Sequence, residues 1–326
     1  MIFLQAHKVL TCKYPDLIKM VKKFSEAEKN IRKIIADSEF FIFEGEKYTA
    51  DLVSKPVVKG GGGETKTDVY LVARNTKTQK TREIKISFKK PNFSFVENKI
   101  KSNRAEAIYK SSGDWSKIIQ EQINEIRDDF LAKPVIYFEK KGRIEKGSIT
   151  LGWRYEMEHN GKRKLQVKIK QNIAAQVWKN KGAQSQYREG IVDGEKIPFS
   201  GIPNFCLTIE PDDVKTADDI FRNLVSMDEL IQTHGNITAA FLAQNYRSHK
   251  KKQEGNTRDL GVWINWKIVN GKLCCEYVFD KPLEMESGPR LENLKDCLKE
   301  LGIDLEGNFN IDSLRNLICK SCPVYP

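Results

Sequence analysis

Thr67 to Arg74 (TDVYLVAR), Asn75 to Lys80 (NTKTQK) and Thr81 to Lys90 (TREIKISFKK) decide how this chain is read. The first run is rich in β formers and the second is a polar turn. The third alternates strictly, with Ile84, Ile86 and Phe88 on one face and Glu83, Lys85, Ser87 and Lys89 on the other. The two apolar runs predict an antiparallel hairpin whose turn centres near residue 77. That register sets Asp68 opposite residues 86–88. One polar surface then collects an Asp, a Glu, a Ser and two Lys. Phosphodiester hydrolysis needs this combination. Carboxylates hold Mg²⁺ through oxygen, and the ion polarises the phosphate and acidifies a water. A lysine positions that water and offsets charge growing on the phosphorane oxygens.

Outward from the hairpin, residues 15–36 space Leu17, Met20, Val21, Phe24, Ile31, Ile34 and Ile35 as an amphipathic helix. Residues 40–58 read as strand and loop and end in Gly60-Gly61-Gly62-Gly63. Helices are predicted near 95–111 and 114–131, the second with Asp114 as N-cap, followed by a buried strand at 134–138 (PVIYF). Beyond about residue 145 come strands at 149–154 and 164–170 and two or three helical pieces over 211–246. Asn270-Gly271 then joins strands 260–268 and 272–279 in a hairpin, and helical segments near 290–301 and 311–319 close the sequence. The order is that of a mixed α/β (α+β) chain. It predicts a catalytic region over 1–145 and a recognition region over 146–326, which could also pack as one continuous fold.

The chain has 326 residues, 40% hydrophobic and 30% charged, enough for a real core and too apolar for a disordered chain. No apolar run approaches the roughly 20 residues that span a bilayer, and Met1 to Leu10 carries no secretory leader pattern. Seven cysteines, an odd number, read as free thiols in a reducing cytoplasm. The net charge of +11 points weakly to a polyanionic partner.

The stretch from Lys59 to Tyr109 sharpens that pointer. GGGGETKTDVYLV, EIKISFKKPNFSFVENK and SNRAEAIY together resemble the PD-(D/E)xK nuclease superfamily, in particular type II restriction endonucleases. The resemblance covers about one sixth of the chain. Thr67 stands where the family has proline. It implies a restriction-endonuclease-like core, a central mixed sheet flanked by helices, with Asp68 binding Mg²⁺. Two registers of the acid-x-Lys motif fit. Glu83-Ile84-Lys85 matches it directly. Ser87-Phe88-Lys89 matches a variant in which a following helix supplies the carboxylate, here Glu97. The glycine run has no Gly-Lys-Ser/Thr ending and is no P-loop. It is either a turn or a place where backbone nears the scissile strand.

From His159 to Arg188 there are eight Lys or Arg and no acid, interspersed with Gln and Asn. Lys168 and Lys170 suit phosphates, while Gln171 and Asn172 suit adenine edges. A second basic cluster, Gln244 to Lys252, contributes Asn245, Arg247 and Lys250. These residues are the expected DNA-binding surface. Other signals are discounted. Cys319-Lys-Ser-Cys322 has zinc-ligand spacing but no second knuckle, because Cys274-Cys275 falls inside a strand. The four histidines show no ligand spacing. Trp263 and Trp266 read as core. The expectation is a Mg²⁺-dependent, site-specific endodeoxyribonuclease, a homodimer on double-stranded DNA whose cognate methyltransferase acts on the same site. The alternatives are a non-catalytic nucleic-acid-binding protein and a repair or transposon nuclease of the same fold.

Overall fold

The computed structural model describes residues 15–60, 64–91, 93, 95–98, 100–159, 165–179, 185–234, 236–247, 258–303, 305 and 309–326; for 15–24, 95, 171, 185 and 186 it gives backbone only. Gly61, Gly62, Gly63 and Lys250 lie outside that set, as does the side chain of Gln171. Two compact units are present, and neither is a contiguous half. One joins residues up to Phe93 with Trp178–Thr233; the other joins Ser94–Val177 with the residues from His234 on. The single boundary expected near residue 145 is replaced by crossings near 93, 177 and 233. Sheet pairing is the cause, because two strands from the second half of the chain complete the first sheet.

That first sheet has six strands. In chain order it takes β1 (Phe41–Phe43), β2 (Glu46–Ser54), β3 (Val69–Asn75) and β4 (Thr81–Lys89), then the Phe205–Thr208 and Leu224–Ser226 strands. The β3–β4 hairpin forms with Val69 opposite Ile86 and Arg74 opposite Thr81. Phe205–Thr208 runs parallel to β4 and makes the sheet mixed. Helix α1 (Pro15–Asp37) packs on one face. Ala27, Ile31 and Ile35 from α1 share a core with Val69, Leu71, Ile84, Ile86 and Phe88, all buried. Phe41 stacks on Phe221 of the short Ala217–Arg222 helix at 3.8 Å between ring centres.

The second unit is built on the Ser148–His159 strand, whose twelve residues are buried except for half-buried Arg154. Strands Ile237–Arg247 and Val262–Val269 flank it, with Gln166–Lys168 and Lys272–Val278 outside them. Of the two or three helical pieces expected over 211–246, Ala217–Arg222 and Met227–His234 form. Ile237–Arg247 is instead a long strand paired antiparallel with Ser148–His159. Its AAFLAQ stretch has helix-forming composition. Pairing wins because Ala239 and Ala240 are fully buried between neighbouring strands, where their small side chains fit. Of the helix expected over 95–111, Ser102–Tyr109 is helical, while Phe95–Glu97 is a strand. Asp114 caps the next helix by accepting from Ser116 N. Asn270 and Gly271 adopt φ of 50° and 70° in their turn, the left-handed pair this hairpin requires. Trp263 and Trp266 are core residues.

The cysteines depart from the free-thiol expectation. Cys274 pairs with Cys319 and Cys275 with Cys322, at Cα separations of 5.0 and 5.6 Å. The segment around Ile318 returns in parallel beside Leu273, so residues 45 and 47 apart in sequence meet. Cys206 and Cys297 are buried free thiols. Among the described residues no helix is long and apolar enough to cross a membrane.

Candidate functional site

Asp68 sits at the mouth of β3, held there by backbone. Its N–H donates to the Ile86 carbonyl and its Oδ2 accepts from the Phe88 N–H, each at 2.8 Å. Its own carbonyl accepts from Arg32 Nη1 at 2.9 Å. Arg32 lies one turn after Glu28 on α1, so both side chains leave the same helix face. Glu28, 7% exposed, accepts from Lys55 Nζ at 2.6 Å. The same ammonium is 3.9 Å from Asp68 Oδ1 and 3.9 Å from Glu64 Oε2. One cation therefore stands between two largely buried carboxylates contributed by a helix and a strand.

The electrostatics reflect that crowding. Burial pushes the Asp68 carboxyl up to about 6 from an ordinary 3.8, and the charge of Glu28 pushes the same way. Lys89, the Phe88 N–H and Lys55 oppose the rise without cancelling it. Burial pulls the Lys55 ammonium down, but the hydrogen bond and charge of Glu28, helped by Asp68 and Glu64, hold it above the usual lysine value. Loss of water, more than any neighbouring charge, sets the Asp68 carboxyl, with Lys89 and Lys55 acting against Glu28. Two acidic oxygen donors around a site that already accommodates positive charge fit a hard divalent cation such as Mg²⁺. Among the described residues no group of three or more His, Cys, Asp or Glu is disposed to hold a metal, so further oxygens would come from water and phosphate.

Extending the hairpin register by one residue from Val69–Ile86 sets Ser87 beside Asp68. Ser87 is buried, and Lys89 follows on the same face. The parallel neighbour brings Cys206 beside Ser87 and Thr208 beside Lys89. Burial raises the Cys206 thiol, which also feels Lys89 and Asp68. Glu83 and Lys85 lie further down the strand. Glu83 is engaged by the Tyr70 hydroxyl and by Lys85 Nζ, the latter at 3.3 Å. Four residues of strand separate Glu83 from Ser87, roughly 13 Å at about 3.3 Å per residue. Glu97 belongs to the other unit, where its carboxylate takes a two-pronged contact from Arg104 at 3.2 and 3.0 Å.

Sequence reading missed Glu28 and Lys55. Glu28 was detectable: it falls three residues before Ile31 and seven before Ile35, so it occupies a core position of an amphipathic helix. A carboxylate on that stripe calls for a partner. Lys55 carries no comparable signal.

Among the described residues, the expected DNA-binding side chains do not form one cluster. Lys168 and Lys170 are exposed, and Lys168 pairs with Thr238 near the start of the Ile237–Arg247 strand. Exposed Asn172 approaches Ser112 at 3.4 Å. Asn245 and Arg247 lie at the far end of the same strand, roughly 25–30 Å away at about 3.3 Å per residue, with Arg247 at 3.7 Å from Glu145. His159 and His234 face each other with ring centres 4.9 Å apart, and burial lowers the His159 imidazole. No family model, curated protein or solved structure matches the chain.

Proposed function

We propose that the chain is a Mg²⁺-dependent endodeoxyribonuclease that cuts double-stranded DNA at a short recognition site. In this reading it serves a restriction–modification system in the cytoplasm, works as a homodimer and shares its site with a cognate methyltransferase. The observation that carries the reading is the convergence of Asp68, Glu28 and Ser87-x-Lys89 at the open end of one hairpin. The resemblance of residues 59–109 to PD-(D/E)xK nucleases points the same way. Asp68 and Glu28 are the residues to hold Mg²⁺, which when bound would polarise the scissile phosphate. Lys89 is the residue to orient the attacking water and balance charge on the phosphate oxygens. Lys55 neutralises the two carboxylates when the ion is away. The Ser87-x-Lys89 register is favoured over Glu83-x-Lys85 because Ser87 neighbours Asp68, whereas Glu83 is paired with Tyr70 and Lys85. Glu97 is not needed once Glu28 supplies the second carboxylate.

The test is digestion of phage DNA with and without Mg²⁺. Discrete bands that appear only with Mg²⁺ are expected, and Asp68→Ala should abolish them while the protein stays folded. Lys89→Ala should lose on the order of 10²–10⁴ in rate or more, and Lys85→Ala far less. The reverse ordering would move the motif to Glu83-x-Lys85. Cleavage that tracks DNA structure and ignores sequence would instead indicate a repair or transposon nuclease. Binding without any cleavage would indicate a non-catalytic nucleic-acid-binding protein.

A further inference from the structure

Away from the carboxylate site, the second unit holds a cavity of about 430 Å³ on one face of its sheet. Three strands supply its floor. Tyr137 lies opposite Ser148, Arg247 opposite Ser148, and Asn245 opposite Thr150, so these side chains leave the sheet on the same side. Ser148 and Thr150 are each 1% exposed. The Ser148 Oγ, Thr150 Oγ1 and Asn245 Oδ1 atoms are buried, and none has a hydrogen-bond partner among the described residues. The register shifts between Gln244 and Asn245, where Leu151 of the partner strand is the extra residue, an irregularity of the kind found next to active sites. Trp153 and Phe241 add apolar wall, and among the described lining residues Lys133, Arg143, Arg154 and Arg247 outnumber the carboxylate of Glu145.

Buried polar atoms without a partner are costly to keep, so three around one cavity mark a place built for a polar guest. The guest must match aromatic walls, donors and acceptors on the floor, and a positive rim. A nucleoside monophosphate has those features: a flat heterocycle with a hydrogen-bonding edge, and a phosphate at the far end. We propose that this cavity binds one nucleotide unit, its base toward Ser148, Thr150 and Asn245 and its phosphate toward Arg247 and Arg143. A base inside a duplex is read by elements that project into a groove, and a recess cannot reach it. The cavity can take only a free nucleotide or one turned out of the stack. The second source rests on the DNA-cleaving function proposed above; the first does not.

The experiment is calorimetric titration of the full chain with each of the four deoxynucleoside monophosphates and with inorganic phosphate. At least one nucleotide should bind saturably, about tenfold or more tighter than phosphate. Thr150→Val keeps the shape of the side chain and removes a buried hydroxyl. It should therefore raise Tm while weakening nucleotide binding about tenfold, and Asn245→Ala should weaken it similarly. A void filled only by water would give no nucleotide binding in the millimolar range, which overturns the proposal. Nucleotide binding that ignores both substitutions overturns it as well. Repeating the titration with Asp68→Ala protein saturated with duplex DNA in Ca²⁺ separates the sources. Displacement of the nucleotide assigns the cavity to DNA, and undiminished binding assigns it to free nucleotide. Loss of cleavage activity reads the other unit, so failure of the nuclease proposal leaves this result interpretable.

Discussion

Asp68 shows how a single residue can be poor for stability and suited to chemistry. Its carboxyl is raised from 3.8 to about 6, so the folded chain holds that proton more tightly than the unfolded chain does. The sign follows from linkage: stability tied to this group is fully present below about pH 4 and is lost as pH rises through about 6. Asp68→Asn, which mimics the protonated form, should therefore be more stable than the parent at pH 7.5 without divalent ions. The gain should be on the order of 2–3 kcal/mol, because one pKa unit corresponds to about 1.4 kcal/mol. It should vanish near pH 4, and urea unfolding at the two pH values measures it. Added Mg²⁺ should narrow the gap by stabilising only the parent. An Asn variant less stable at pH 7.5 would mean that Lys55 and Lys89 fully satisfy the ionised carboxylate.

Single elements carry the site, and α1 is the clearest case. Its Ile31 and Ile35 are essentially inaccessible and fix the helix on the hairpin, while Glu28 on that stripe and Arg32 one turn on reach Lys55 and Asp68. Ile31→Ala should cost about 2–5 kcal/mol from reduced burial and the cavity left behind. Chemical denaturation reads that loss. At temperatures where the variant remains folded, cleavage should persist, because none of the residues proposed to act on the phosphate has changed. Loss of cleavage in a folded Ile31→Ala protein would mean that helix placement itself limits the reaction. The two hairpins behave oppositely to the Ile237–Arg247 strand in one respect. Their turns and alternation are local and readable, whereas the long strand is made by partners some ninety residues away.

On the scale of the whole molecule, the described basic candidates of the second unit stand at opposite ends of one strand and not in one patch. Lys168 and Lys170 are exposed beside the Gln166–Lys168 edge strand and are the clearest candidates to meet phosphate among the described residues. Replacing both by Ala should weaken binding to cognate and random duplexes alike. The slope of log affinity against log salt should shrink by about 0.9 for each phosphate that is no longer neutralised. Fluorescence anisotropy in Ca²⁺, where turnover is blocked, gives both quantities. An unchanged slope would remove this edge from the DNA surface and leave Asn245 and Arg247 at the other end of the strand as the remaining candidates.

By itself the sequence determined what local patterning can encode. The β3–β4 hairpin, its register, the apolar face of Ile84, Ile86 and Phe88, the Asp114 cap and the Asn270-Gly271 turn all follow from side-chain alternation and turn stereochemistry, which act over a few residues. Asp68 beside Ser87 was legible for the same reason. Tertiary structure alone decided the rest. Glu28 and Lys55 reach Asp68 only when a helix and a loop fold over the hairpin. Glu97 is drawn into another sheet by pairing with the Ser148–His159 strand. The unit boundaries follow strands exchanged between distant parts of the chain. Burial then set the Asp68 carboxyl near 6 and left Ser148, Thr150 and Asn245 around a cavity. Such effects depend on which surfaces lose water together, and no short window of sequence holds that information.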